Sequence, residues 1–277
     1  MRIFSRMSVF TKQVLVLCGS MAVYGQTAAQ EALQLGINQG LSEPLTAYDR
    51  QERYQAFSDY ISAALKRPVR FEVFQHVKGR PGDPKKARYD IAFVRPSSNA
   101  ALALRDRGSQ LIASAKGELN AYFITSDAST IKSAADLRGK HIAMPAPGAL
   151  VSHVALASLR DLGIDPATQK ITHTNFQEQA VYMVEQKLAD VAVVGPLVVK
   201  KMQAKGAVTV LKSKAIPTWA LIAAPWTSPA DVEKIRAAVI ALSESESGRK
   251  ILRQIEVEGF QPAKRDTYLA MLDWLRI

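Results

Sequence analysis

Enzyme chemistry needs a nucleophile beside a base, paired carboxylates, clustered imidazoles or a phosphate-cradling loop, and this sequence is thin in all of them. Ser129-Thr-Ile-Lys132 has the S-x-x-K spacing that sets a serine beside a lysine in penicillin-binding enzymes, yet neither S-D-N nor K-T-G accompanies it. No G-x-S-x-G turn, H-E-x-x-H pair or P-loop occurs. His173 ends a predicted strand, but no second imidazole or carboxylate has ligand spacing to it. His153 falls one turn into a predicted helix, where a structural role is the commoner reading. The residues therefore predict neither catalysis, nor a metal, nor a cofactor.

The chemistry that remains is binding, and it sits where strands end. Asn38-Gln39, Arg95-Pro-Ser-Ser-Asn99, Pro145 to His153, Thr174-Asn-Phe-Gln177 and Gly195-Pro196 each follow a run of strand type. In open α/β sheets ligands settle at such carboxyl ends. Arg95 is the one cation predicted at a strand end. Its planar fork suits a carboxylate, and pairing to a local acid fits equally well. Ser97 and Ser98 read first as the N-cap of the next helix and second as ligand contacts. The Pro145–His153 segment opens a helix whose first amides and positive dipole end can receive an anion.

These loops hang on alternating strands and helices. Ala32–Ile37 reads as a strand, and Ser42-Glu-Pro44 opens a helix that tolerates Pro in its first turn. Tyr54, Phe57, Ile61, Ala64 and Leu65 recur at helical spacing, so one face is buried. Val69–Val73 alternates as a strand, and Asp90–Val94 is a buried-strand run. Ser133-Ala-Ala-Asp136 is a capping box, with Gly139 as a stop. Strands follow at His141–Met144, Lys170–Thr174, Val191–Val194 and Ala207–Leu211. Helices are predicted at Ala149–Leu162, Phe176–Leu188 and Pro196–Lys205. Ser228-Pro-Ala-Asp231 starts a helical tail, with further helices near Ser247–Ile255 and Lys264–Leu275. This alternation predicts an α/β fold with parallel-rich sheets and helices on both faces.

The first 29 residues read as a secretory signal. Arg2, Arg6 and Lys12 precede the apolar run Val14–Val23, and Thr27-Ala-Ala29 supplies small residues for cleavage near Ala29. The run is short of the roughly 20 residues that a membrane-spanning helix needs. Cys18 has Leu17 before it where a lipobox has a small residue, so lipidation is not expected. Removing the signal takes away the only cysteine, leaving no disulfide, thiolate or cysteine ligand. The formal charge falls from +11 to +8 with the three departing basic residues. Such a surplus suits anionic ligands, membrane headgroups or nucleic acid, and export argues against the last. The basic segment Lys78–Arg88 is rich in Pro and Gly without an aromatic, and reads as a solvated loop or, second, a docking surface.

The run Asp127-Ala-Ser-Thr-Ile-Lys-Ser-Ala-Ala-Asp-Leu-Arg-Gly-Lys-His-Ile-Ala143 resembles a stretch of the phosphate/phosphite/phosphonate-type ABC-transporter binding proteins. Leu35-Gly-Ile-Asn38 and Tyr54–Leu65 resemble that family's opening strand and first helix, and Tyr89–Phe93 its next buried strand. Leu159–Asp165, Lys187–Asp190, and Gly259–Pro262 ahead of Tyr268 continue the likeness in order.

The resemblance implies a two-lobed type-2 periplasmic binding fold, with residues 30–121 and 222–277 in one lobe and 122–221 in the other. Two hinge crossings are then expected near Ala121–Ile124 and Thr218–Ile222. It also implies a monomeric periplasmic protein that closes on a small anionic or zwitterionic ligand and serves an ABC permease, or else a membrane sensor kinase. Tyr122 and Trp219 fall at the crossings, where they stack on a ligand or pack the hinge; Tyr48 and His76 could reach the cleft from the first lobe. Two departures stand out. The family's hydroxyl-rich anion loop is here Gly148-Ala149-Leu150-Val151, and a family histidine position is Gln177. The lost hydroxyls remove charge-assisted hydrogen bonds worth about 1.5–3 kcal/mol each, so weak phosphonate capture is expected.

Overall fold

The computed structural model describes residues 31–38, 46–74 and 89–277. The signal segment with Cys18 and Ala29, the sites Gln39 and His76, and the basic segment Lys78–Arg88 lie outside the described residues. In chain order the first elements are β1 (Leu33–Asn38), α1 (Ala47–Leu65), β2 (Val69–Phe74), β3 (Ile91–Val94), α2 (Ser97–Asp106) and β4 (Gln110–Ala115). The middle holds β5 (Tyr122–Thr125), β6 (Ile142–Pro145), α3 (Leu150–Asp161), β7 (Ile171–Thr174), α4 (Gln177–Glu185), β8 (Val191–Val194), α5 (Pro196–Gln203) and β9 (Val208–Lys212). The chain ends with β10 (Ala220–Ala223), α6 (Pro229–Ala241), α7 (Glu246–Gln254), β11 (Phe260–Gln261) and α8 (Arg265–Leu275).

Two mixed sheets result. One has the strand order β11-β4-β10-β3-β1-β2 and the other β7-β6-β8-β5-β9. β1 runs parallel to β2 and β3, and β6 parallel to β7 and β8. β10 and β5 run antiparallel to their neighbours.

The helical stripe read from the sequence builds the first core. Tyr54, Phe57, Ile61 and Leu65 of α1 are buried against Phe93 and Phe260 of the six-stranded sheet, with α6 and α7 beside them. Phe57 stacks on Phe260 at 5.9 Å. Thr46 caps α1 through a reciprocal pair with Asp49. The expected opening at Ser42–Pro44 lies outside the described residues, and the cap is four residues later because Thr46 and Asp49 satisfy each other's amides. The Ser133–Asp136 box is present but frames only a short 3-10 turn, Ala134–Leu137.

A second core joins α2 and α8 on the opposite face of that sheet to α3 and the five-stranded sheet, through Leu104, Met271 and Leu272 with Phe123, Met144 and Val154. A third lies under α4 and α5, built from Val181, Val194, Val198 and Met202. Helices therefore cover both faces of each sheet. α8 packs against both α2 and α3 and so touches the surroundings of both sheets.

The chain passes between the sheets at residues 116–121 and 213–219, slightly ahead of the places expected, because Tyr122–Thr125 and Ala220–Ala223 are already ladder strands. The passing segments are bonded to each other. The Ile216 amide donates to the Leu119 carbonyl at 2.9 Å and the Leu119 amide to the Ile216 carbonyl at 3.4 Å. Asn120, buried, donates to the Ser213 carbonyl at 2.9 Å, and the Ala121 amide donates to the Ser213 hydroxyl at 2.9 Å.

Candidate ligand-binding site

Topology decides which edges of the sheets face one another. β1, β3 and β4 end at Asn38, Val94 and Ala115. β10 starts on that same edge, because Ala220 pairs with Val94 and Ser114. On the other sheet, β6, β7, β8 and β9 end at Pro145, Thr174, Val194 and Lys212, and β5 starts beside the last two. The two passing segments thus run from carboxyl edge to carboxyl edge, and the loops on those edges border the space between the sheets, where α/β folds bind ligands.

Cations dominate the six-stranded edge. The Arg95 guanidinium is buried, lies 3.7 Å from the Trp219 ring centroid and donates to the Ile255 carbonyl. Its Nη1 is 3.4 Å from Glu256 Oε2, while Arg53 Nη1 is 3.0 Å from the other oxygen of the same carboxylate. Two guanidinium groups share one acid, so the cluster is left with a positive surplus. Burial pulls the Arg95 pKa down, opposed by the nearby Glu256 carboxylate, and an arginine stays charged under such a shift. Arg95 Nε, also buried, has no hydrogen-bond partner. A buried donor left unpaired is costly, and such sites invite an acceptor.

The five-stranded edge offers backbone and hydrocarbon. α3 begins at Leu150 with Ala149 as its N-cap, and no side chain caps its first amides. Ser152, in the first turn, is buried and its hydroxyl is spent on the Pro145 carbonyl at 2.9 Å. His173 Nδ1 lies 2.7 Å from that same carbonyl. Gln177 Oε1 accepts from the Gly195 amide at 2.6 Å, bracing the starts of α4 and α5 together. Val151 is part of this brace, since a Cβ on Gly195 would sit 3.5 Å from Val151 Cγ2.

Over residues 45–268 the sequence matches the family described as "ABC transporter, phosphonate, periplasmic substrate-binding protein". The chain belongs to this family. Family members are periplasmic solute-binding proteins of ABC transporters. No curated protein matches the sequence. Among solved structures, XAC2383 from Xanthomonas citri bound to ATP is similar at a TM-score of 0.69 and 14% identity, with 88% of this chain and 97% of that one covered. PhnD1 from Prochlorococcus marinus in complex with methylphosphonate gives a TM-score of 0.63 at 14% identity over 88% and 97%. The periplasmic aliphatic sulphonate binding protein SsuA from Escherichia coli gives 0.60 at 12% identity over 89% and 86%. At such identities the likeness establishes the two-lobed periplasmic-binding fold.

The residues expected to line this family's cleft divide into groups. Arg95, Trp219 and Asn38 meet on the six-stranded edge, where the Asn38 carbonyl accepts from the Arg95 amide at 3.2 Å. Trp219 packs edge-on to Phe93 at 6.5 Å. Arg95 is paired to an acid, but a remote one, Glu256. Ser97 and Ser98 are not the cap of α2. Pro96 holds that position, so the two serines fall inside the first turn, and the buried Ser97 hydroxyl points at Met271 Sδ, 3.7 Å away.

Tyr48 is exposed in the first turn of α1. Tyr122 starts β5, with Lys212 Nζ 5.9 Å from its ring centroid. Gly148, Ala149, Leu150, Val151 and Gln177 converge on the five-stranded edge, where the Gln177 side chain is engaged by backbone. Sequence reasoning missed Arg53 and Glu256. Arg53 had a signal, a cation about two turns into the helix after β1. Glu256 had none nearby in sequence. Among the described residues no helix is long and apolar enough to cross a membrane, and no group of three His, Cys, Asp or Glu could hold a metal.

Proposed function

We propose that this chain captures a small anionic solute between the carboxyl edges of its two sheets, closes on it, and delivers it to an ABC permease without chemical change. In this reading residues 30–121 and 222–277 form one lobe and 122–221 the other. The observation that supports it best is the pairing of unlike edges. One edge carries Arg53 and Arg95 around a single carboxylate with an unpaired, buried Nε, and the other carries the uncapped amide start of α3. Cation and amide donors on opposing walls suit an oxyanion.

The same geometry argues for weak phosphonate capture despite the methylphosphonate in PhnD1. A phosphonate wants many donors, and the only hydroxyl at the start of α3 is spent on the Pro145 carbonyl. Thermal shift and calorimetry with methylphosphonate, inorganic phosphate, ethanesulfonate and acetate test the proposal, with small-angle scattering on any binder. Stabilisation with compaction is expected from a sulfonate or carboxylate. Silence across the whole panel, or tight binding without compaction, defeats the capture reading. Submicromolar phosphate or phosphonate binding defeats the argument from the missing hydroxyls.

A further inference from the structure

Among the described residues four non-glycine positions have a positive φ, and each lies just past a helix end: Lys66, Lys187, Glu256 and Arg276. That conformation crowds the Cβ and is ordinarily left to glycine. The last carbonyls of a helix also make its end negative, which favours a cation there. Lys66, Lys187 and Arg276 conform on charge. Glu256, at φ 58° after α7, combines a strained backbone with the wrong charge for its place. Local rules broken in this way point to function.

What Glu256 meets there is the arginine cluster. Its oxygens lie 3.0 Å from Arg53 Nη1 and 3.4 Å from Arg95 Nη1, and the neighbouring Ile255 carbonyl accepts from Arg95 Nη2. The Val257 amide closes the turn on the Leu252 carbonyl at 3.0 Å, so a pinned helix end carries the carboxylate. Neutralising the buried Arg95 does not account for this arrangement. Glu256 gives its shorter contact to Arg53, whose side chain is 28% exposed against 9% for Arg95. Asp49, near Arg53 on α1, is spent on Thr46.

Two guanidinium groups and one carboxylate leave a single positive charge. The carbonyl end of α7 subtracts a fraction from it, and the amide start of α3 on the opposing edge returns a similar fraction, so the two walls offer about one unit of positive charge. Attraction to such a site grows in proportion to the solute's charge, but the cost of stripping its water grows as the square. One unit therefore repays a monoanion and falls short for a dianion. We infer that Glu256 is a specificity-determining residue that limits the solute to a single negative charge. This rests on the capture reading above and adds the charge of what is captured.

Sulfate and methanesulfonate test it, being tetrahedral and close in size but carrying two charges and one. In calorimetry at low salt the wild type should bind methanesulfonate more tightly. Glu256→Gln should tighten methanesulfonate by about fivefold and sulfate by about 25-fold, because the energy of removing one nearby negative charge doubles with the charge of the ligand. Adding Arg53→Gln to that variant takes away a cation as well and should restore the preference for methanesulfonate. Sulfate preferred by the wild type overturns the inference, and that comparison needs no variant to fold. Equal gains for both ions in Glu256→Gln, or equal losses, also overturn it and leave Glu256 as a residue that only positions the arginines. If neither ion binds the wild type or the variants, the capture reading fails and takes this inference with it.

Discussion

The Arg95 guanidinium lies over the Trp219 indole, 3.7 Å from the ring centroid, where the two crossing segments meet the six-stranded sheet. A desolvated cation–π contact of this kind is worth about 2 kcal/mol. Any solute that draws Arg95 toward itself must therefore change the surroundings of one indole. Ligand binding should alter tryptophan emission in the wild type and in Trp226→Phe, and the change should vanish in Trp219→Phe. A signal that survives in Trp219→Phe would move the ligand away from Arg95.

Glu256 divides its two oxygens between Arg53 and Arg95 and is half exposed. Glu256→Gln keeps the shape and removes the negative charge that competes with an anionic solute. Affinity for ethanesulfonate should rise by about 1 kcal/mol at low salt, roughly fivefold, and the gain should shrink in salt. Calorimetry at two ionic strengths reads both effects. A loss of affinity instead would mean that Glu256 serves chiefly to hold the arginines in place.

Ala149 has the extended backbone of an N-cap, φ −74° and ψ 135°, but no side-chain oxygen. Ala149→Ser should stabilise the ligand-free protein by about 1 kcal/mol through one new bond to a first-turn amide. Urea denaturation should show a higher midpoint at unchanged slope.

Burial, and then the nearby Arg160, hold the His153 pKa below the ordinary histidine value of 6.5, and burial acts likewise on His141, followed by Lys170. The unfolded chain therefore takes up these protons more readily than the folded one, so stability rises with pH across this range and is lost as pH falls below 6.5. Melting temperatures measured from roughly pH 7.5 down to 5 should fall, and His153→Gln should fall less. Asp49 and Asp136, whose hydrogen bonds hold their pKa values below 3.8, contribute only at still lower pH.

Local periodicity carried most of the fold. Val191–Val194 is the strand read from its β-branched run, and α3 falls within one residue of the helix read from Ala149 to Leu162. The stripe Tyr54, Phe57, Ile61 and Leu65 is buried because a period near 3.6 leaves a helix only one face to hide.

The site was less legible, since its partners are remote in the chain. Arg95 and Glu256 are 161 residues apart, and no local pattern announces that the guanidinium turns toward α7 and not outward. The misreading of Ser97 and Ser98 has a different cause. Cap preference names residue types, but the cap is fixed by backbone conformation, and the extended residue there is Pro96. Gln177 was correctly placed at a helix start. That its amide would already be occupied by Gly195 depends on how α4 and α5 converge.

The exchanged hydrogen bonds between Leu119 and Ile216 determine how this molecule can move. Two independent tethers would let the sheets slide as well as swing. Joined as they are, and stitched again at Asn120 and Ser213, they form a two-stranded ribbon that resists shear yet can still bend and twist. Behind it, α8 acts as a fulcrum: the Trp274 carbonyl accepts from Arg160 at 2.8 Å, and its indole donates to Asp161 at 3.0 Å. Ribbon and fulcrum together favour one swinging motion of the sheets over sliding. A few well-placed contacts at the edges can then select one position along it.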